Sequence, residues 1–167
     1  MCDEIEKAIA SNYFLPMLML LFYVGDDRYA LAARQVVEVM SLAELKKLAR
    51  SPKYLAGLLN YRDKVIPVID LCQLLSGIPS RSYLSTRIIV INYAINKEKS
   101  LLLGLIAERV TETLDRQDND LIEPGIKADT SAYLGEIITD EQGMIQCIQV
   151  ESLLSESQQR YLLPQLE

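Results

Sequence analysis

Histidine and tryptophan are absent from this 167-residue chain. Losing histidine removes the commonest metal ligand and the commonest general base together, and it makes a Ser-His-Asp arrangement impossible. No lysine stands in a Ser-x-x-Lys motif to take over as base. The seven glycines are scattered, so no glycine-rich phosphate loop exists. Cysteine is sparse: Cys2, Cys72 and Cys147 are odd in number and far apart, which argues against a disulfide framework or a zinc site and suits a reducing compartment. Cys72 follows an apolar strand and Cys147 lies within one, so both read as small core residues. Long hydrophobic runs are lacking too. Phe14 to Val24 is interrupted by Pro16 and is about half the ~20 residues of a spanning helix. Asp3, Glu4 and Glu6 outweigh Lys7 at the start, where a signal peptide would be positive. The expectation is a cytoplasmic protein with no direct membrane insertion.

Basic charge is also in deficit: 17 lysines and arginines face 23 acidic residues, a net charge of −6. With no basic run and no aromatic–basic interleaving, a nucleic-acid backbone is disfavoured as partner. The acidic pairs Asp26-Asp27 and Asp118/Asp120 read as solvated turn residues, because no rigid element holds them together. Catalysis is poorly supported, and no catalytic residue, cofactor or metal is expected. Half of the residues are hydrophobic, enough for one domain of ordinary size or two small subdomains sharing a core.

What the chain does contain is a repeat. Tyr54 to Leu75 returns in degraded form as Tyr133 to Leu154, at an offset of 79 that superposes Leu58 on Ile137, Leu59 on Ile138, Ile66 on Ile145 and Ile69 on Ile148. The polar turn Tyr61 to Lys64 has no such match. A second echo, Tyr29 to Glu38 against Leu103 to Glu112, has an offset of 74. Two echoes in the same order favour tandem duplication of a β module whose first copy carries a function.

Period and turn chemistry place the elements. Met17 to Val24 and Arg28 to Ala32 read as strands about the turn Gly25-Asp26-Asp27, and Ala33 to Met40 as a short helix and a strand. Leu42, Leu45 and Leu48 suggest helix by spacing. Leu55 to Tyr61 and Val65 to Ile69 read as strands; Pro67 puts the second at an edge or bulge, and Asp70 caps a short helix. Ser76 to Ser85 reads as a linker, and Pro124-Gly125 marks an irregular loop. Arg87 to Tyr93, Leu101 to Ile106, Leu134 to Thr139 and Met144 to Val150 complete the strands. A terminal amphipathic helix spans about Ser152 to Leu163, with Leu153, Leu154, Tyr161 and Leu162 on its apolar face. Many short strands with regular turns indicate a mainly β barrel architecture.

Glu38 interrupts an apolar segment, and Arg62 stands at a corner between two apolar strands. The bland reading is a solvent-facing ion pair worth at most ~1 kcal/mol. The functional one makes Arg62 a binding anchor beside an apolar groove, because arginine combines planar donors with stacking ability.

Gly57-Leu58-Leu59-Asn60-Tyr61-Arg62-Asp63-Lys64-Val65-Ile66-Pro67-Val68-Ile69-Asp70-Leu71 resembles the CheW-family signature G-x-x-N-L-R-G-x-x-x-P-x-x-D-L. Phe22 to Leu31 resembles that family's opening strand pair, and Val36-Val37-Glu38-Val39 its V-x-E-I element. The likeness runs from about Leu18 to Leu162, and Ser85 to Val90 with Leu103 to Glu108 is most similar to WspB-type adaptors. The resemblance implies two intertwined five-stranded SH3-like β-barrels with short helices and a C-terminal helix, in one domain over 16–163. Subdomain 1 would hold about 16–64 plus 144–154, and subdomain 2 about 65–143, after an N-terminal extension at 1–15. It implies extended structure at Leu42 to Leu48, which outweighs the helical spacing there.

The implied function is a non-catalytic adaptor joining the cytoplasmic tip of chemoreceptors to the regulatory domain of a CheA-type histidine kinase, recruited to receptor arrays at the inner membrane. Receptor contacts would fall on Val36, Glu38, Gly57, Asn60, Arg62 and Asp63. Asp63 replaces the signature glycine and Tyr61 the leucine; aspartate tolerates positive φ at modest cost, and its carboxylate partly neutralises Arg62. The alternative is a stand-alone β-barrel that binds a small ligand or nucleic acid.

Overall fold

A computed structural model of the chain describes residues 17–116, 121–122 and 134–162. The lead-in at 1–15, Cys2, Asp118, Asp120, the Pro124-Gly125 loop and Leu163 lie outside the described residues. Ten strands follow in order: β1 Met17–Val24, β2 Asp27–Ala32, β3 Val36–Ser41, β4 Leu55–Tyr61, β5 Lys64–Asp70, β6 Arg87–Ala94, β7 Ser100–Arg116, β8 Leu121–Ile122, β9 Leu134–Asp140 and β10 Gly143–Ile148. Two short helices, α1 Leu71–Ser76 and α2 Glu156–Leu162, and 3-10 turns at Ala33–Gln35 and Val150–Ser152 complete the elements among the described residues.

The duplication is visible in the strand registers. Leu59 pairs with Ile66 in the β4–β5 hairpin, and their repeat counterparts Ile138 and Ile145 pair in β9–β10. Leu55 pairs with Ile69, and Leu134 with Ile148, each beside a register shift. The hairpins then exchange places. β5 runs parallel to β7, with Val68 opposite Gly104, while β10 runs parallel to β2, with Cys147 opposite Ala30. Offsets of 79 and 74 convert one pairing into the other. The second hairpin of each repeat thus completes the sheet of its neighbour, and two five-stranded barrels interlock.

One strand serves both barrels. The first half of β7 pairs with β6 through Arg87–Ala107, and the second half with β1 through Met17–Arg116. It bends at Arg109, whose φ of 48° coincides with a register shift in β1 between Leu21 and Tyr23. β7 runs well past Ile106, where the sequence suggests it stops. The polar residues Thr111, Glu112 and Thr113 lie exposed on a strand whose backbone bonds go to β1.

Each barrel holds a small core of its own. Met19, Leu21, Ala30, Ile138, Ile145 and Cys147 fill one; Leu59, Ile66, Val68, Ile88, Val90 and Ile106 fill the other. A larger shared core includes Phe22, Leu31, Ile69, Leu71, Ile89, Leu103, Leu105, Ile148 and Leu153. Each fully buried leucine or isoleucine contributes ~1.5–3 kcal/mol.

Asp70 caps α1 as its position suggests, Oδ1 accepting from Cys72 N at 3.0 Å and Gln73 N at 3.3 Å. Leu42 to Leu48 is extended, so the family likeness is right and the helical spacing misleads. Lys46 exchanges two 2.9 Å backbone bonds with Leu58, closing the barrel; a helix there would leave β4 without that partner. The terminal helix begins at Glu156, later than its apolar spacing suggests. Leu153 and Leu154 are buried before it, and Ser155 and Gln158 cap it reciprocally through bonds of 2.8 and 3.3 Å. Tyr161 of α2 is largely exposed rather than part of a buried apolar face.

Candidate functional site

The β4–β5 hairpin turns on two residues, with Tyr61 opposite Lys64 and φ values of 48° at Arg62 and 65° at Asp63. Positive φ at both central positions is the type I′ geometry that suits the right-handed twist of the strands. Aspartate visits this region readily, whereas arginine does so at a cost of about 1–2 kcal/mol. Contacts around the corner hold it. The Arg62 guanidinium lies 5.1 Å over the Tyr61 ring, and Nη2 stands 3.4 Å from Glu38 Oε2. The Tyr61 hydroxyl donates to the same Glu38 oxygen. That bond to the carboxylate, and then burial, push the phenol above its ordinary pKa.

Arg62 is 71% exposed and Glu38 41%, so their ion pair adds little stability. The pair faces solvent, as the bland reading has it, and the hairpin that carries Arg62 continues through Lys64 and Val65 into the wall of a groove. The groove, about 830 Å³, is walled by Leu58, Lys64, Val65 and Pro67 of the hairpin, by Leu101 and Leu102 of β7, and by Tyr161 and Leu162 of α2. Its origin is a failed ladder. The parallel pairing of β5 with β7 begins only at Val68, because Pro67 has no N–H to extend it. Upstream, the two strands splay apart. At the corresponding place in the second repeat, Gln146 pairs with Tyr29. Arg28 seals that corner with bonds of 2.6 and 2.7 Å to both Asp140 oxygens, holding the Asp140 carboxyl down to about 2.

The other sequence-identified residues are placed differently. Asn60 is exposed opposite Val65, at the groove's edge, and Asp63 is exposed at the hairpin tip. Val36 starts β3 opposite Ile91 and packs against the shared core. Gly57 is buried with a φ of 153°; a Cβ there would sit 2.8 Å from the Lys46 carbonyl oxygen and 2.9 Å from Leu45 Cβ. It lets the 45–46 segment cross β4. The groove walls on β7 and α2, and the part played by Tyr61, escaped the sequence reading. Pro67 inside a strand was the one signal that could have located the groove.

These features define a double-barrel domain of SH3-like type with an open groove. The chain belongs to the CheW family: the CheW-like domain matches residues 18–158. It is similar to protein FrzA of Myxococcus xanthus, with 27% identity over 93% of this chain and 96% of that protein. Chemotaxis protein CheW of Bacillus subtilis (strain 168) is 25% identical, over 87% of this chain and 92% of the relative. The crystal structure of scaffolding protein TtCheW from Thermoanaerobacter tengcongensis superposes with a TM-score of 0.73 at 26% identity, covering 84% of this chain and 89% of that one. Among the described residues no helix is long and apolar enough to cross a membrane.

Proposed function

We propose that this protein is a non-catalytic adaptor of a chemotaxis-type signalling system, coupling chemoreceptors to a CheA-type histidine kinase in the cytoplasm at inner-membrane receptor arrays. The observation that carries the reading is the apolar groove of about 830 Å³, walled by Lys64 and Val65 directly after the exposed, strained Arg62-Asp63 corner. An amphipathic helix about 10 Å across can lay its apolar face in such a groove. The cytoplasmic tip of a receptor, a helical hairpin, is its occupant here. Arg62, Glu38, Asn60 and Asp63 set the register of that helix, while Val36 and Gly57 hold the barrel that presents them. The barrel of β1, β2, β9, β10 and the second half of β7 packs against the barrel of the kinase regulatory domain, and the one of β3, β4, β5, β6 and the first half of β7 carries the groove. Each contact is modest, and linkage of many copies supplies avidity.

Support comes from the family, from the names of the relatives and from the absence of any histidine. The test is calorimetric titration of a soluble receptor fragment. Arg62→Ala weakens binding by ~1–3 kcal/mol while the thermal transition stays in place. Unchanged affinity would remove Arg62 from the site.

A further inference from the structure

Positive charge is concentrated on one wall of the groove. Of the 17 lysines and arginines, Lys46, Lys47, Arg50, Lys53, Arg62 and Lys64 lie between positions 46 and 64, where Asp63 is the one carboxylate. All six are exposed. Arg62 pairs with Glu38, while the other five form no ion pair with a described carboxylate. Five positive charges in excess over this stretch contrast with a chain whose net charge is −6.

The same stretch builds the groove. Leu48, Leu55, Leu58 and Lys64 line it from this side. Asn92, Ser100 and Leu101 line it from β6 and β7, and among the described residues neither strand brings a charge to it. The charged wall is fixed in shape. Lys46 exchanges its backbone bonds with Leu58, Ser51 Oγ donates to the Leu48 carbonyl at 3.0 Å, and Leu55 N donates to the Pro52 carbonyl at 3.1 Å. The backbone that carries the cations is therefore set before any partner arrives, and less ordering is needed on binding.

We infer that the groove selects a helix of lopsided charge: an apolar face for Leu58, Val65 and Leu101, and carboxylates along the one flank that meets Lys47, Arg50, Lys53 and Lys64. Carboxylates three and four residues apart share such a flank. Their attraction to one wall fixes the rotation of the helix about its own axis and rejects a helix with lysines there. A strand is a poor occupant, since Pro67 offers no N–H to a ladder and lysine beside an open edge discourages pairing. A nucleic acid fits no better: the lining is apolar, Tyr161 is its one aromatic among the described residues, and the rest of the chain is strongly acidic. The inference rests on the adaptor reading, whose receptor helix it supplies with a sign of charge on one flank.

The test measures association and dissociation rates of the full chain with a purified receptor cytoplasmic fragment, at low and high salt. Lys53→Glu and Lys64→Glu are each expected to weaken binding about three- to tenfold at low salt, mainly through slower association, with the gap narrowing at high salt. Lys64→Gln should show a smaller loss. Arg34→Glu changes net charge equally, on an exposed 3-10 turn, and should keep wild-type affinity. Two synthetic helical peptides form the second probe, sharing one apolar face and bearing either glutamates or lysines along one flank. The glutamate peptide should bind wild type, and the lysine peptide should prefer the Lys53→Glu, Lys64→Glu double variant. Receptor affinity that ignores both reversals and salt overturns the inference and leaves the adaptor reading standing, as does equal binding of the two peptides to wild type. An equal loss in Arg34→Glu also overturns it, because net charge would then be the cause. Wild type that binds the glutamate peptide but not the receptor fragment removes the adaptor reading and upholds the charge selection. Lys53 and Lys64 are exposed and make no described ion pair, so an unshifted thermal transition is expected; should a reversal shift it, Lys64→Gln and the peptides carry the test.

Discussion

The Tyr61 hydroxyl donates to the Glu38 carboxylate, joining the end of β4 to β3 beneath the Arg62 guanidinium. Tyrosine at this position does what the leucine of the family signature cannot: it orients the carboxylate that Arg62 faces. Tyr61→Phe keeps the ring under Arg62 and removes only the hydroxyl. The expected outcome is a slightly lower Tm at neutral pH and weaker receptor binding. The folded phenol titrates above its ordinary value of 10.0, so the bond stabilises the fold at lower pH and is lost as pH rises through the folded pKa. Thermal melts at rising alkaline pH should therefore show wild type converging on Tyr61→Phe. Parallel curves would refute the assignment.

Asp63 and Arg62 occupy consecutive left-handed positions, at φ 65° and 48°. Glycine at the second central position is the favoured I′ partner. Asp63→Gly relieves backbone strain and should raise stability by about 0.5–1 kcal/mol. It also removes the carboxylate that follows Arg62 in the chain, so receptor affinity stays the same or tightens. Urea denaturation and calorimetry measure the two effects separately. A clear loss of affinity would mean that Asp63 makes a contact of its own.

Gly57 lies under the 45–46 crossing, where a Cβ would be 2.8 Å from backbone. Gly57→Ala adds both that clash and a strained φ of 153°. About 2–4 kcal/mol of destabilisation is expected, because the neighbour is the Lys46 carbonyl, fixed by its own bond from Leu58 N. Any receptor defect in this variant should track its unfolded fraction and recover at low temperature. A folded Gly57→Ala protein that still fails to bind would instead make Gly57 a contact.

Much of this molecule is legible in its sequence, and the reasons for the rest are physical. The offset of 79 superposes Leu59 on Ile138 and Ile66 on Ile145 because barrel interiors constrain their residues tightly, and those pairs occupy matching core positions. The groove could not be read the same way. It depends on where a parallel ladder between β5 and β7 stops, a relation between residues far apart in sequence, of which only Pro67 leaves a local trace. The clamped coil between α1 and β6 was missed for the opposite reason. Gly, Pro and three serines between Ser76 and Ser82 resemble a linker, and what clamps them comes from Asp70 on β5 and Glu108 on β7. Leu42 to Leu48 shows spacing overruled, since only the extended form lets Lys46 pair with Leu58.

The second repeat supplies an acid-sensitive lock. Arg28 grips Asp140 through both carboxylate oxygens, tying β2 to the end of β9 at the corner where the first repeat bears Tyr61. The Arg28 hydrogen bonds, first among the causes, hold the Asp140 carboxyl down to about 2 from 3.8. A depressed folded pKa stabilises the protein above the unfolded value, and that contribution disappears as pH falls from about 4 to about 2. Water still reaches the Asp140 side chain, which is 31% exposed, so the contribution is discounted to on the order of 1 kcal/mol. Asp140→Asn keeps the shape and one acceptor but removes the charge. It should be less stable than wild type at pH 7 and lose less stability on acidification, so that the two denaturation midpoints approach each other near pH 2. A constant gap across that range would show that the ion pair contributes nothing through charge, and that Arg28 holds the corner by packing alone.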